Sequence, residues 1–569
     1  MSRRTSPKLA LSALGAAAAL SLSHQAAASN PIEFPDNGTG AFSRGGAWLA
    51  LGNEPLAAHY APAALATQAS AFSLDQNLSY NKVCYGRRGP GNTVIGPNDV
   101  VRVTPGDPNS LPTLVYLPTC VNRKAFPTTV PALAFSWRAS RRLGIGVAVV
   151  PPATYGVPDT GWRLTSQGLN NRTGEKQMMP SPYRYMTVNQ LNTIVFPTIG
   201  FGYEVFDDVR IGAAFISGMA ALNTESVAIS KYDSAEVDAA GDHMVDDTYA
   251  NIRLKDLFIP GVIVSADISV TPYLDVAVWG RYVSAVETSE AEARFTTQIF
   301  GPDGKVKPNC NGVLNPDGSR DVSTCTSATE NLYVGKTNAL THFKFPIPPE
   351  VRLGLRYHRP RPGQAPRAPD GKPVRDPLHD DLFDLELDAS YAMNSRANTI
   401  EIRFRDNNGQ GAVSTLPTGT PVPPNADRWN GFIDSYGLRL GGQWNAVQDR
   451  FALRAGGWME TRSQEPEFLT MFPVGAARWG FGGGVVLRQD FLDVSVGYQR
   501  HMSSGLDNGG NGGTLANVGT RGGGSFNVND DPAGVSAQDR TQFRSERFIN
   551  GGQVTQSAHV FSLGGTVRF

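Results

Sequence analysis

The chain has 569 residues, and its 51 basic and 51 acidic side chains cancel, so there is no electrostatic case for nucleic acid as a partner. Beyond the first 28 residues there is no apolar run of the roughly 18 needed for a helical span, which excludes an α-helical membrane protein. With 61 Gly, 40 Pro and 9% aromatics, the composition suits a chain of strands and turns.

Residues 1–28 read as a secretory signal. Arg3, Arg4 and Lys8 form a positive start, Leu9 to Leu22 a short apolar core, and Ala26 to Ala28 a small-residue cleavage site. The next segment, to residue 70, holds the stretch "FSRGGAWLALGNEPLAAHYAPAALATQ" at 42–68. Trp48, Leu49, Leu56 and Leu65 recur there at roughly helical spacing, interrupted by Gly52, Pro55 and Pro62. Short broken helices of this kind are expected to fold into a cavity as a plug, because so apolar a stretch is poorly accommodated in water.

From about residue 71 the period becomes two. Leu133, Phe135 and Trp137 share a face, as do Leu143, Ile145, Val147 and Val149 in the following run. Val351, Leu353, Leu355 and Tyr357 alternate with Arg352, Gly354, Arg356 and His358. Phe383, Leu385 and Leu387 alternate with Asp384, Glu386 and Asp388. Ile400, Ile402 and Phe404 alternate with Glu401, Arg403 and Arg405. Such strands want lipid on one side and water on the other. Short turns near 141–144, 206–208, 270–273, 446–449 and 489–491 alternate with long Gly/Pro/Asn-rich connections, the pattern of an outer-membrane barrel with long outer loops. The exception is 358–381, "HRPRPGQAPRAPDGKPVRDPLHDD", expected to be a periplasmic insertion. The count is about 14 strands, so the fold expected is all-β, a 14-stranded antiparallel transmembrane barrel over 71–569 with a small helical plug over 29–70. A secreted multi-strand sandwich is the competing fold. The final strand ends on Phe569, which resembles the signal read by the outer-membrane barrel assembly machinery.

Four cysteines fall in two sequence-local pairs, Cys84 with Cys120 and Cys310 with Cys325. In an oxidising compartment these read as loop-closing disulfides, although four cysteines allow three connectivities. Without a CxxC or a His cluster, no metal site is expected. The carboxylate and amide groups at Asp242, His243, Asp246 and Asp247, and at Asp406 to Gly409, lack a full Ca²⁺-loop spacing. There is no GxSxG, HExxH or P-loop, and 505–513 is a flexible loop, so neither enzyme nor cofactor is expected. A barrel lipase finds no support, because His559 and Ser562 lie on opposite faces.

"SRGGAWLALGNEPLAAHYAPAALA" resembles the N-terminal hatch of the FadL/TodX family of outer-membrane transporters for long-chain fatty acids and aromatic hydrocarbons. Arg44, Gly45 and Ala47 match its Arg-Gly-Ala start. Asn53 and Glu54 stand at its acidic pair, and Pro62 and Ala63 match its Asn-Pro-Ala motif, with Ala61 in place of the Asn. "PALAFSWRASRRLGIGVAVVPP", "FPIPPEVRLGLRYHRP" and "DSYGLRLGGQWNAVQDRFALRAGGWMETRS" look like this family's hairpins. The resemblance implies a hatched barrel that captures a hydrophobic ligand at its outer loops and passes it inward. It also implies release sideways at a kink in the third strand, here 143–153, where Gly144 and Gly146 are the candidate kink residues.

For a carboxylate ligand the candidate lumen residues are Arg138, Arg352, Arg356, Arg439 and Arg454, whose guanidinium groups can bind a head group bidentately. Pairing with Asp384, Glu386, Asp388 and Glu401 is the purely structural alternative. Expected partners are a hydrophobic small molecule, outer-membrane lipid and the assembly machinery, with the chain acting as a monomer. The competing functions are a general diffusion porin and a surface adhesion barrel.

Overall fold

The structure, a computed structural model, describes residues 37–89, 94, 114–124, 131–151, 164–229, 247–296, 331–334, 339–362, 374–406, 428–471, 474–512 and 550–569. The expected signal peptide, Cys310, Cys325 and the cluster members Asp242, His243 and Asp246 lie outside the described residues, as do Asn407 to Gly409.

Fourteen antiparallel strands close on themselves. They are β1 (Ala71–Arg87), β2 (Thr119–Lys124 and Ala132–Arg138), β3 (Leu143–Val150), β4 (Asn189–Phe206), β5 (Val209–Ile229) and β6 (Asp247–Thr271). Next come β7 (Leu274–Val283 and Val286–Thr296), β8 (Asn331–Val334, Ala339–Phe345 and Glu350–Pro360), β9 (Asp381–Ala392 and Thr399–Asp406) and β10 (Arg428–Trp429 and Ser435–Val447). The circuit ends with β11 (Phe451–Glu460), β12 (Arg478–Gln489), β13 (Leu492–Ser503) and β14 (Gly552–Arg568). Closure comes from β1 and β14, which pair without a break from Ala71↔Arg568 to Arg87↔Gly552. A closed ladder leaves no edge to satisfy, a requirement in hydrocarbon.

Alternation sets the two faces. On β8, Val351, Leu353, Leu355 and Tyr357 are 43–50% exposed, while Gly354 and Arg356 between them are buried. Leu385 and Leu387 on β9 point outward, and Asp384, Glu386 and Asp388 point inward. So many outward apolar side chains are stable only against lipid. Aromatics bound the band, with Trp137, Tyr203, Tyr273, Trp444 and Phe491 near the short turns and Tyr282, Tyr436 and Trp479 toward the other end. Two of the tight turns place Asp449 and Asp490 at positive φ (58° and 52°), a conformation that Asp tolerates better than most residues.

The second run of β9 departs from the sequence reading. Ile400 and Ile402 do not face lipid but pack inward against the main core. Register parity is unchanged across the 3₁₀ turn Asn394–Ala397; what changes is the residue type on the inward positions, acidic in the first run and apolar in the second. The expected loop-closing bridge between Cys84 and Cys120 forms, and its two ends lie on strands, directly opposed on β1 and β2.

Above that bridge, Tyr183 and Met186 from the β3–β4 connection and Leu469, Met471 and Val474 from the β11–β12 connection pack on Val83, Tyr85, Val121 and Val554. A second core thus covers one side of the outer mouth.

Candidate plug and lumen site

Residues 37–68 fill the lumen. Their elements are short: α1 (Thr39–Phe42), α2 (Ala57–Tyr60) and a 3₁₀ turn (Pro62–Thr67) that begins on proline, whose missing N–H costs nothing there. Gly45, Gly46 and Gly52 adopt positive φ (67°, 82° and 43°), which lets the chain double back between the helices. Trp48, Leu49, Leu51, Leu56 and Leu65 are all at most 5% exposed and belong to one apolar cluster with the barrel wall.

Wall carboxylates hold the plug. Arg44, fully buried, pairs with Asp384 at 2.5 Å and Glu386 at 3.5 Å, and its Nε donates to the Ala47 carbonyl at 3.0 Å. The Ala50 N–H donates to Glu386 at 2.6 Å, and the N–H groups of Trp48 and Leu49 donate to one oxygen of Asp388 at 2.9 and 3.2 Å. Thr39 N–H donates to Asp75 at 2.7 Å, Glu54 pairs with Arg454 at 3.5 Å, and Ala63 N–H donates to Ser265 at 2.8 Å. Backbone donors that so short a set of helices leaves over are therefore met by the wall.

Close approach depends on missing side chains in the wall. A β-carbon at Gly144 on β3 would strike the Leu65 carbonyl, and one at Gly146 would sit 2.9 Å from the Ala58 side chain. Gly202 and Gly212 on β4 and β5 meet the backbone of Pro62 and Ala63, and Gly441 and Gly456 meet that of Arg44. Gly144 and Gly146 thus lie against the 3₁₀ turn and its neighbour α2, and β3 pairs continuously with both β2 and β4 through these positions.

The five candidate arginines separate. Arg138 sits at the short-turn end, where its guanidinium donates to the Arg141 carbonyl at 3.2 Å. Arg356 is buried among Asp275 (3.1 Å), Asp381 (2.5 Å) and Asp384 (3.5 Å). Arg439 pairs with Glu460 at 3.2 Å and Ser390 at 2.9 Å, and Arg454 belongs to the Glu54 tie. Arg352 lines a small cleft with Ala41, Gly46, Trp48, Leu49, Tyr60 and Asp388. Its guanidinium contacts Glu350 at 2.8 Å and lies over the Trp279 ring at 5.0 Å. Beside this cleft, Phe196, Ile216, Leu222, Leu254, Ile259, Val286, Phe343 and Ile347 continue the inward apolar wall of β4 to β8, in one cluster with the plug. Sequence reading did not single out that wall, nor the docking glycines beyond β3; Gly200 and Gly202, facing inward on either side of the outward Phe201, were the available signal.

His59 joins plug to wall. Its Nδ1 meets the Thr198 hydroxyl at 2.8 Å, its ring stacks on Phe196, and its carbonyl accepts from the Trp279 indole at 3.3 Å. Burial, followed by the Arg281 and Arg352 charges, holds its pKa well below the usual 6.5. The seated plug refuses a proton that the released segment takes up, so seating weakens as pH falls below about 6.5. Hydrogen exchange protection of residues 56–67 is expected to drop between pH 7 and 5, and the drop to shrink in His59→Gln; an equal drop in both proteins would refute this.

A closed 14-stranded barrel whose own N-terminal segment occupies the lumen defines the FadL type of fold. The solved FadL homologue of Pseudomonas aeruginosa superposes with a TM-score of 0.57 at 14% identity, over 95% of this chain and 99% of that one, a likeness that establishes the fold. The Pseudomonas putida toluene transporter TodX (TM-score 0.48, 11% identity, 93% and 97% covered) and the Ralstonia pickettii toluene transporter TbuX (0.47, 11%, 95% and 98%) also match. No protein-family profile and no curated protein sequence matches the chain.

Proposed function

We propose that the protein moves hydrophobic small molecules, long-chain fatty acids or similar hydrocarbons, across the outer membrane, capturing them at the outer loops and passing them through the plugged barrel. The observation that carries this reading is the apolar wall of β4 to β9, which runs without a break into the plug. A water-filled pore offers a sparingly soluble chain little, whereas an apolar lining gains about 0.8 kcal/mol for each CH₂ taken out of water. The FadL-type fold and the hatch-like residues Arg44, Gly45, Ala47, Pro62 and Ala63 support it. In this reading lipid surrounds the barrel, the assembly machinery inserts it by its C-terminal strand, and it works as a monomer. Lateral release beside Gly144 and Gly146 is the exit it favours.

Arg352 is then the head-group residue, placed where the apolar cleft meets a cation. Arg352→Ala is expected to weaken binding of a long-chain fatty acid to the purified barrel by about 10- to 100-fold, the worth of one charged hydrogen bond at ~1.5–3 kcal/mol. Affinity for an alkane of the same length is expected to stay unchanged. A fluorescent-ligand displacement assay showing equal losses for acid and alkane would overturn the assignment.

A further inference from the structure

The described end of the β8–β9 connection, residues 374–380, is a strap across the lower mouth. Its neighbours at that end, such as Asp207-Asp208 between β4 and β5, are tight turns, whereas this connection runs from 361 to 380. Two consecutive residues of it reach opposite walls. The Arg375 guanidinium sits between Asp275 at 2.7 Å, Ser269 at 2.6 Å and Asp267 at 3.3 Å, on β6 and β7. The next carboxylate, Asp376, accepts two bonds from Arg488 on β12, at 2.6 and 3.1 Å. In a closed barrel of 14 strands, β6–β7 and β12 lie nearly across the axis from each other.

The same strap grips the plug. The Arg375 N–H donates to the Thr67 carbonyl at 2.9 Å, and its guanidinium reaches the Ala50 carbonyl at 3.4 Å. Helix α3 (Pro377–Asp380) then anchors it: Leu378 is buried with Ala452 and Val486, His379 pairs with Asp449 at 2.7 Å, and Asn445 donates to the Pro377 carbonyl at 2.6 Å.

From these contacts we propose that Val374–Asp380 is an autoinhibitory latch, which closes the periplasmic mouth, clamps the plug, and must let go before anything passes along the barrel axis. Val374, Pro377 and Leu378 are buried, but the ties that Arg375 and Asp376 make across the mouth are polar bonds that water can replace. The planar guanidinium seated between two carboxylates makes Arg375 the chief tie, a geometry that Lys does not reproduce.

The test is planar-bilayer conductance of the full chain, which needs no knowledge of the cargo and so fails or succeeds independently of the transport reading. Arg375→Gln with Asp376→Asn removes both cross-lumen ties without adding bulk. It is expected to raise conductance at least tenfold and to speed amide exchange at Ala50 and Thr67, while heat-modifiable gel migration shows the barrel still closed. Joining Leu378→Cys to Ala452→Cys with a short thiol cross-linker in that variant is expected to restore the wild-type trace, with each single cysteine as control. A closed barrel of wild-type conductance in the double variant, or a cross-linked protein that still conducts, would overturn the latch.

Discussion

Arg44→Ala is expected to unseat the plug while leaving the barrel closed. The guanidinium is fully buried and compensates Asp384 and Glu386, both also fully buried, so its removal leaves Glu386 without its arginine and Asp384 with only the longer Arg356 contact at 3.5 Å. Breaking one side of such a pair costs about 3–5 kcal/mol, a large share of what so small an inclusion gains by docking. The strand ladders do not depend on it, so the loss falls on residues 37–68. Limited proteolysis is expected to cut the variant within that segment at rates a hundredfold or more above wild type, and Arg44→Lys to be intermediate because it cannot also reach the Ala47 carbonyl. Wild-type resistance in Arg44→Ala would mean that the ion pairs do not seat the plug.

Gly144→Val is the second large effect. Its β-carbon would run into the Leu65 carbonyl and come within 3.2 Å of the Leu65 Cβ, and backbone cannot rotate away as a side chain can. Overpacking of this kind costs about 1–3 kcal/mol where side chains can give, and a main-chain clash sits at or above the upper end. The 3₁₀ turn Pro62–Thr67 is expected to shift off β3, lowering its exchange protection by tenfold or more and changing the uptake of cargo. Gly86→Ala supplies the control, because a β-carbon there meets nothing within 4 Å. Unaltered protection and uptake in Gly144→Val would count against both the close docking and a route past β3.

How much of this was legible beforehand differs by level. Period-two patterning in Val351 to Tyr357 and Phe383 to Asp388 determines which side chains meet lipid, and the structure places those runs accordingly. Patterning failed at Ile400 and Ile402, because alternation tells that two faces differ and not which one faces inward above the lipid band. Among the arginines, sequence could place five on candidate inner positions but not pair them: the partners of Arg356 come from β7 and β9, and that of Arg454 from the plug. Arg356 meets Asp381 25 positions away and Asp275 81 positions away on neighbouring strands, and Arg454 meets Glu54 from the other end of the chain, so no local spacing encodes these pairings. The same holds for Arg375, which looked like one more charge in a proline-rich insertion.

The central claim is that a hydrophobic cargo crosses a barrel whose lumen is plugged. It is tested most directly by the initial rate at which cells take up a fluorescent long-chain fatty acid, with the chain present or deleted, over a range of concentrations. The account predicts a saturable, chain-dependent uptake that excess hydrophilic solute does not compete. Uptake that does not depend on the chain, or that rises linearly and is shared by sugars and small peptides, would contradict it and point instead to an open diffusion pore.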